Sequence, residues 1–128
     1  MKMMTGLFGM LLILIVNPFN SKADKLDSLK SVLRHLQNDT TKVNVLNKIS
    51  RLSAYSNPHE AEQHANDALL LSRKLDFRAG ESAALNNLGV CNSIQGQYDQ
   101  ALDFFKQSFD IDEKLNHKKD MASKNLKC

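Results

Sequence analysis

The sequence predicts an all-helical protein made of antiparallel helix pairs that stack on one another. Three observations carry this. From Asp24 onward apolar residues recur at steps of three and four, the period of one helical face. No stretch alternates with period two over a useful length, so no strand is expected. The helical segments come in pairs, and the second pair repeats the first about 40 residues later.

The first 23 residues stand apart. Lys2 is followed by an apolar run from Leu7 to Val16, then Pro18, then Ser21-Lys22-Ala23, which offers small residues where an export peptidase cuts. This is the pattern of a signal peptide over 1–23, cleaved after Ala23. A membrane-spanning helix needs about 20 apolar residues, and this run has half that. The chain is therefore expected to be exported, periplasmic or secreted, and membrane-tethered where the leader stays on. Removing the leader takes away Lys2 and Lys22 and no carboxylate, so the formal charge of +3 falls by two. No cluster of Lys and Arg then remains to track a phosphate backbone, which excludes nucleic acid as the expected partner.

A first helix is expected over 24–37, with Leu26, Leu29, Leu33 and Leu36 on one face. "QNDTT" interrupts it with capping residues. The first repeat, 41–75, opens with Val43, Leu46, Ile49 and Leu52 in helical register. Its second helix begins at "NPHE", where Asn57 is a natural N-cap, Pro58 suits the first helical position and Glu60 stands three residues after the cap. Ala61, Ala65, Ala68, Leu71 and Leu75 line its inner face. "DFRAGE" breaks the chain. The second repeat, 78–115, carries Ala84, Leu85, Leu88 and Cys91, ends its first helix at Gly96, and restarts at Tyr98 with Ala101, Leu102, Phe105, Phe109 and Leu115. Residues 116–128 read as a third repeat that opens and is not completed, with "HKKD" at 117–120 as a solvated loop.

The repeat register explains the small residues. Leu46, Ile49 and Ser50 correspond to Leu85, Leu88 and Gly89, and Ala61 corresponds to Ala101. Gly89 and Ser50 let the paired helix approach closely, and Phe105, Ser108 and Phe109 are expected to fill the space alongside. Of the two cysteines, Cys91 is expected to act as a small buried apolar residue, and a disulfide with Cys128 has no support.

The stretch "LNNLGVCNSIQGQYDQALDFFKQSFDI" at 85–111 resembles a tetratricopeptide repeat, with its leucine-glycine pair, Gly-x-Tyr, alanine, phenylalanine and small residue in register. Residues 43–75 follow the same pattern more loosely, with Ser50 at the glycine position. The spacing is that of the extended repeats of about 40 residues. The resemblance implies a short right-handed α-solenoid. An export signal, a short helix and such repeats are similar to the extracytoplasmic input region of bacterial sensor histidine kinases and related signalling proteins. It also implies a concave groove for a protein or peptide partner, lined by Asn44, Asn47, Arg51 and Tyr55 in the first repeat and by Ala83, Asn86, Asn87, Val90 and Ser93 in the second. Asn87 matches an asparagine that hydrogen-bonds a ligand backbone in peptide-binding members. The lysines of a carboxylate-binding clamp are not matched.

Nothing else in the chain points to chemistry. His35, His59, His64 and His117 are scattered, and the spacing of five between His59 and His64 does not place two ligands on one helical face. Asp99, Asp103, Asp110, Asp112 and Glu113 share a helix with Lys106 and Lys114 and read as solvated charge. Phosphate loops, nucleophile elbows and Cys-x-x-Cys pairs are missing from the sequence. The expectation is a non-enzymatic interaction module with no cofactor, no metal and no small-molecule substrate. Two rivals stand beside it: a fragment of a sensor kinase whose catalytic region lies elsewhere, and a scaffold that self-associates through an uncapped C-terminal end.

Overall fold

The computed structural model describes residues 21–126, and the greater part of the expected leader lies outside them. Five helices follow in order: α1 (Lys22–Leu33), α2 (Thr40–Ser53), α3 (Pro58–Lys74), α4 (Arg78–Ile94) and α5 (Tyr98–Leu126). No strand occurs among the described residues. Each helix packs on the next, and α2 also packs directly on α4. The result is an all-α stack of helix pairs, α2 with α3 and α4 with α5, preceded by α1.

The helix starts follow local chemistry. Asp39 Oδ1 accepts from Lys42 N at 3.1 Å to cap α2, and Asn57 Oδ1 accepts from Glu60 N at 3.2 Å to cap α3 ahead of Pro58. Ser21 caps α1 by accepting from Asp24 N, so α1 begins before Ala23 and ends at Leu33, short of the expected Gln37. No side chain caps α4; its start is set instead by the turn before it.

That turn and the one after α4 share one geometry. Asp76 (φ 52°) and Gly96 (φ 79°) are left-handed. Phe77 N donates to Ser72 O at 2.8 Å and Asp76 N to Arg73 O at 3.2 Å; Gln97 N donates to Asn92 O at 2.9 Å and Gly96 N to Ser93 O at 3.1 Å. Both are Schellman closures. "DFRAGE" breaks the chain only as far as Phe77, and Gly80 lies inside α4. A Cβ on Gly80 would fall 2.5 Å from the Phe77 ring and 2.7 Å from Val43, so the missing side chain is what lets α4 sit down on α2.

The larger core cluster runs through the stack: Val43 and Leu46 of α2, Ala65, Ala68 and Leu69 of α3, Ala84, Leu85 and Leu88 of α4, and Ile111 of α5; a smaller one joins Ala54, Ala61 and Cys91. The expected close approach at Gly89 is present, since a Cβ there would meet three Phe105 ring carbons at 2.6–2.9 Å. Corresponding residues are 39 apart in the first helices (Ile49 and Leu88) and 40 apart in the second (Ala61 and Ala101), and the extra residue falls in the turn between the paired helices. Five residues lead from Ser53 to Pro58, and six from the equivalent Asn92 to Tyr98.

Two expectations need correction. Phe109 and Leu102 do not fill the core, because both side chains are exposed; Ser108 is buried as expected, and Ile111 takes the inner apolar place. The stretch 117–120 is not a loop, because α5 runs unbroken through it, so 116–126 lengthens the last helix instead of opening a new one. The α3–α4 turn is held by Phe77, whose ring packs on the core. His117 stands at the matching place, and a polar ring there has no apolar surface to bury.

Candidate interaction groove

The side-by-side contact of α2 and α4 makes a shallow concave surface. Asn44, Asn47, Lys48 and Arg51 of α2 and Ala83, Asn86 and Asn87 of α4 line one cavity of about 290 Å³. Six of the nine residues expected in a groove are thus brought together. The other three are not. Tyr55 lies beyond the end of α2 with its side chain in solvent, Val90 packs toward Ala54, Ala61 and Cys91, and Ser93 is half-buried at the far end of α4. Lys48 escaped the sequence reading, although it follows Asn44 at the helical step of four that brings two side chains onto one face.

Asn44, Arg51, Ala83 and Asn86 are exposed, whereas Asn47 and Asn87 are each 8 % exposed. These two asparagines tie the groove floor together. Asn47 Nδ2 donates to Gly80 O at 3.1 Å. Asn87 Nδ2 donates to Asn47 O and to Asn47 Oδ1, both at 3.1 Å. The two amide protons of Asn87 are therefore already used between the helices, and only its Oδ1 is left for a ligand. This differs from the role that the resemblance implies for Asn87. Its first task here is to lock α4 onto α2.

The walls have one sign of charge. Lys48 and Arg51 are the ionisable residues lining the cavity, and no carboxylate lines it. The amides of Asn44 and Asn86 add neutral donors and acceptors beside them. A segment presenting carboxylates or unpaired backbone carbonyls would find complementary groups on this surface.

Two further polar clusters hold the helices that carry the groove. Glu81 is buried at the start of α4, where Arg73 Nε donates to Oε1 at 3.0 Å and the Arg78 guanidinium pairs with Oε2. Between α4 and α5, Ser108 Oγ donates to Ser82 O at 2.9 Å and Ser82 Oγ donates to Asp112 Oδ1 at 2.5 Å. No period in the sequence announced either cluster. Cys91 is a buried free thiol, as expected, and burial pushes its pKa up from 9.0. Among the described residues no three potential ligands converge as a metal site, and no helix is long and apolar enough to cross a membrane.

Comparison with known families then places the geometry. Residues 55–114 match the tetratricopeptide repeat family. The matched segment spans α3, α4 and the first half of α5, so it includes one groove wall; α2, the other wall, precedes it. The matched segment includes Gly89, Ala101 and Phe105. No curated protein and no solved structure matches the chain.

Proposed function

We propose that the chain is a protein-interaction module whose working surface is the groove between α2 and α4, holding a segment of a partner protein. Tetratricopeptide repeats are typically non-catalytic and bind protein or peptide partners. The observation that carries the reading is the convergence of Asn44, Lys48, Arg51 and Asn86 around one cavity, above a floor already fixed by Asn47 and Asn87. A rigid floor leaves little conformational entropy to lose when a partner docks. The cationic walls favour a partner segment that carries carboxylates.

The setting we propose is extracytoplasmic, as the sensory input or scaffold of a signalling system. Supporting it are the leader pattern at 1–23 and the resemblance of the repeat region to sensor-kinase input regions. The experiment is capture from an extracytoplasmic extract, with the chain and an Arg51→Glu, Asn86→Arg variant as parallel baits. Both substitutions are on exposed positions, so the helices are expected to form unchanged. A protein retained by the first bait and lost from the second supports the groove. The same proteins on both baits would contradict it.

A further inference from the structure

The two ends of the stack carry surfaces of opposite character. At the last helix, Tyr98, Leu102 and Phe109 stand exposed at helical spacing on one side of α5. Leu69, 40 residues before Phe109, occupies the same place on α3 and is only 8 % exposed because α4 covers it; Phe109 is 65 % exposed. The α5 stripe is thus the face on which a further element of the stack would lie. Asp99, Asp103, Asp110 and Glu113 flank it, with Lys106 as the one cation between 98 and 113.

At the other end, α1, α2 and α3 enclose a cavity of about 570 Å³. Its floor is apolar, made by Leu33, Leu46, Leu70 and Leu71, and Leu70 is 68 % exposed. Its rim is cationic, with Arg34, Lys42 and Lys74 against the single carboxylate of Asp67. Among the described residues the helix closest to α1 is α2 and the one beside α5 is α4, so the cavity and the stripe lie at opposite ends of the stack.

We propose that these surfaces are partners: the acid-flanked apolar stripe of α5 from one copy docks at the cation-rimmed cavity of a second copy, joining stacks head to tail. Apolar surface meets apolar surface, and four carboxylates meet three cations. The contact is heterologous, so each copy keeps one free end and longer assemblies grow with concentration. Isologous pairing of two α5 stripes is opposed by the same carboxylates, which would face one another. This goes beyond the groove function, because neither surface includes a groove residue.

The test is sedimentation velocity of the full chain at rising concentration, in low and high salt, beside Phe109→Glu and Leu70→Glu. Both substitutions fall on exposed side chains, and circular dichroism checks that helicity is kept. The chain is expected to gain mass with concentration and to lose it in high salt, and each variant alone is expected to stay monomeric. Mixed together, the variants retain one good cavity and one good stripe, so they should form a one-to-one dimer that grows no further. Three results would each overturn the proposal: a monomeric chain throughout, no effect of Leu70→Glu, or no dimer on mixing. Self-association intact, with the same proteins captured by the chain and by the Arg51→Glu, Asn86→Arg bait, would instead count against the groove alone.

Discussion

Gly89 and Ser50 sit at corresponding places in the two repeats, yet opposite outcomes follow from changing them to alanine. At Gly89 the new Cβ would press into the Phe105 ring at 2.6 Å. The gain in helix propensity is about 1 kcal/mol, and overpacking costs about 1–3 kcal/mol, so Gly89→Ala is expected to lower stability by about 1 kcal/mol. Adding Phe105→Leu should recover most of the loss in a denaturant melt. If Gly89→Ala melted unchanged, the close approach would not be what selects glycine there. Ser50 Oγ is fully buried, makes no hydrogen bond to oxygen or nitrogen, and has only the weakly bonding Cys91 thiol beside it. A hydroxyl whose neighbour in the core is a weakly bonding thiol regains little of its desolvation penalty, so Ser50→Ala is expected to stabilise by about 1 kcal/mol. A loss of stability on that change would show that the hydroxyl has a bonding role. The sequence register marked both positions as small, but it could not show that one of them buries a hydroxyl with only a thiol beside it.

The elements were legible in proportion to how local their causes are. Asn57-Pro58, Gly96 and the leucine faces belong to short-range rules, and the helices they predict are present. The long α5 was hidden because its would-be turn fails for a tertiary reason, the lack of an apolar anchor such as Phe77. Gly80 was read as a breaker because its use, contact with Phe77 and Val43, spans two elements. The same reasoning sets what holds α1. No residue of α1 is fully buried; Leu33 packs on the core from its end, and Lys30 pairs with Glu60 of α3. Hydrogen bonding by Lys30 is the main cause holding the Glu60 carboxyl below its ordinary 4.5. A depressed carboxyl adds stability above its unfolded value and loses it as pH falls through the folded one. Docking of α1 should therefore weaken below pH 4.5 while α2–α5 persist. Hydrogen-exchange protection of α1, taken relative to the intrinsic rate at each pH, that falls on acidification and falls equally at neutral pH in Lys30→Ala would agree. Protection unchanged in both would remove the pairing as the cause.

At the scale of the whole molecule, a period near 40 stands for nearest-neighbour packing, and each helix here indeed packs on the next. The groove was legible as far as Asn44, Asn47, Arg51, Ala83, Asn86 and Asn87, because helical spacing fixes one face of α2 and one of α4. Tyr55, Val90 and Ser93 lie toward the helix ends, where the register no longer faces the cavity. What spacing could not supply is the bond pattern: Asn87 closes on Asn47 and leaves Lys48, Arg51, Asn44 and Asn86 as the open surface. The most direct measurement is calorimetric titration of the captured partner's binding segment into the chain, into Arg51→Glu and into Leu70→Glu. Affinity at least tenfold weaker for Arg51→Glu and unchanged for Leu70→Glu is the predicted result. Equal affinity for all three proteins would contradict the groove as the working surface.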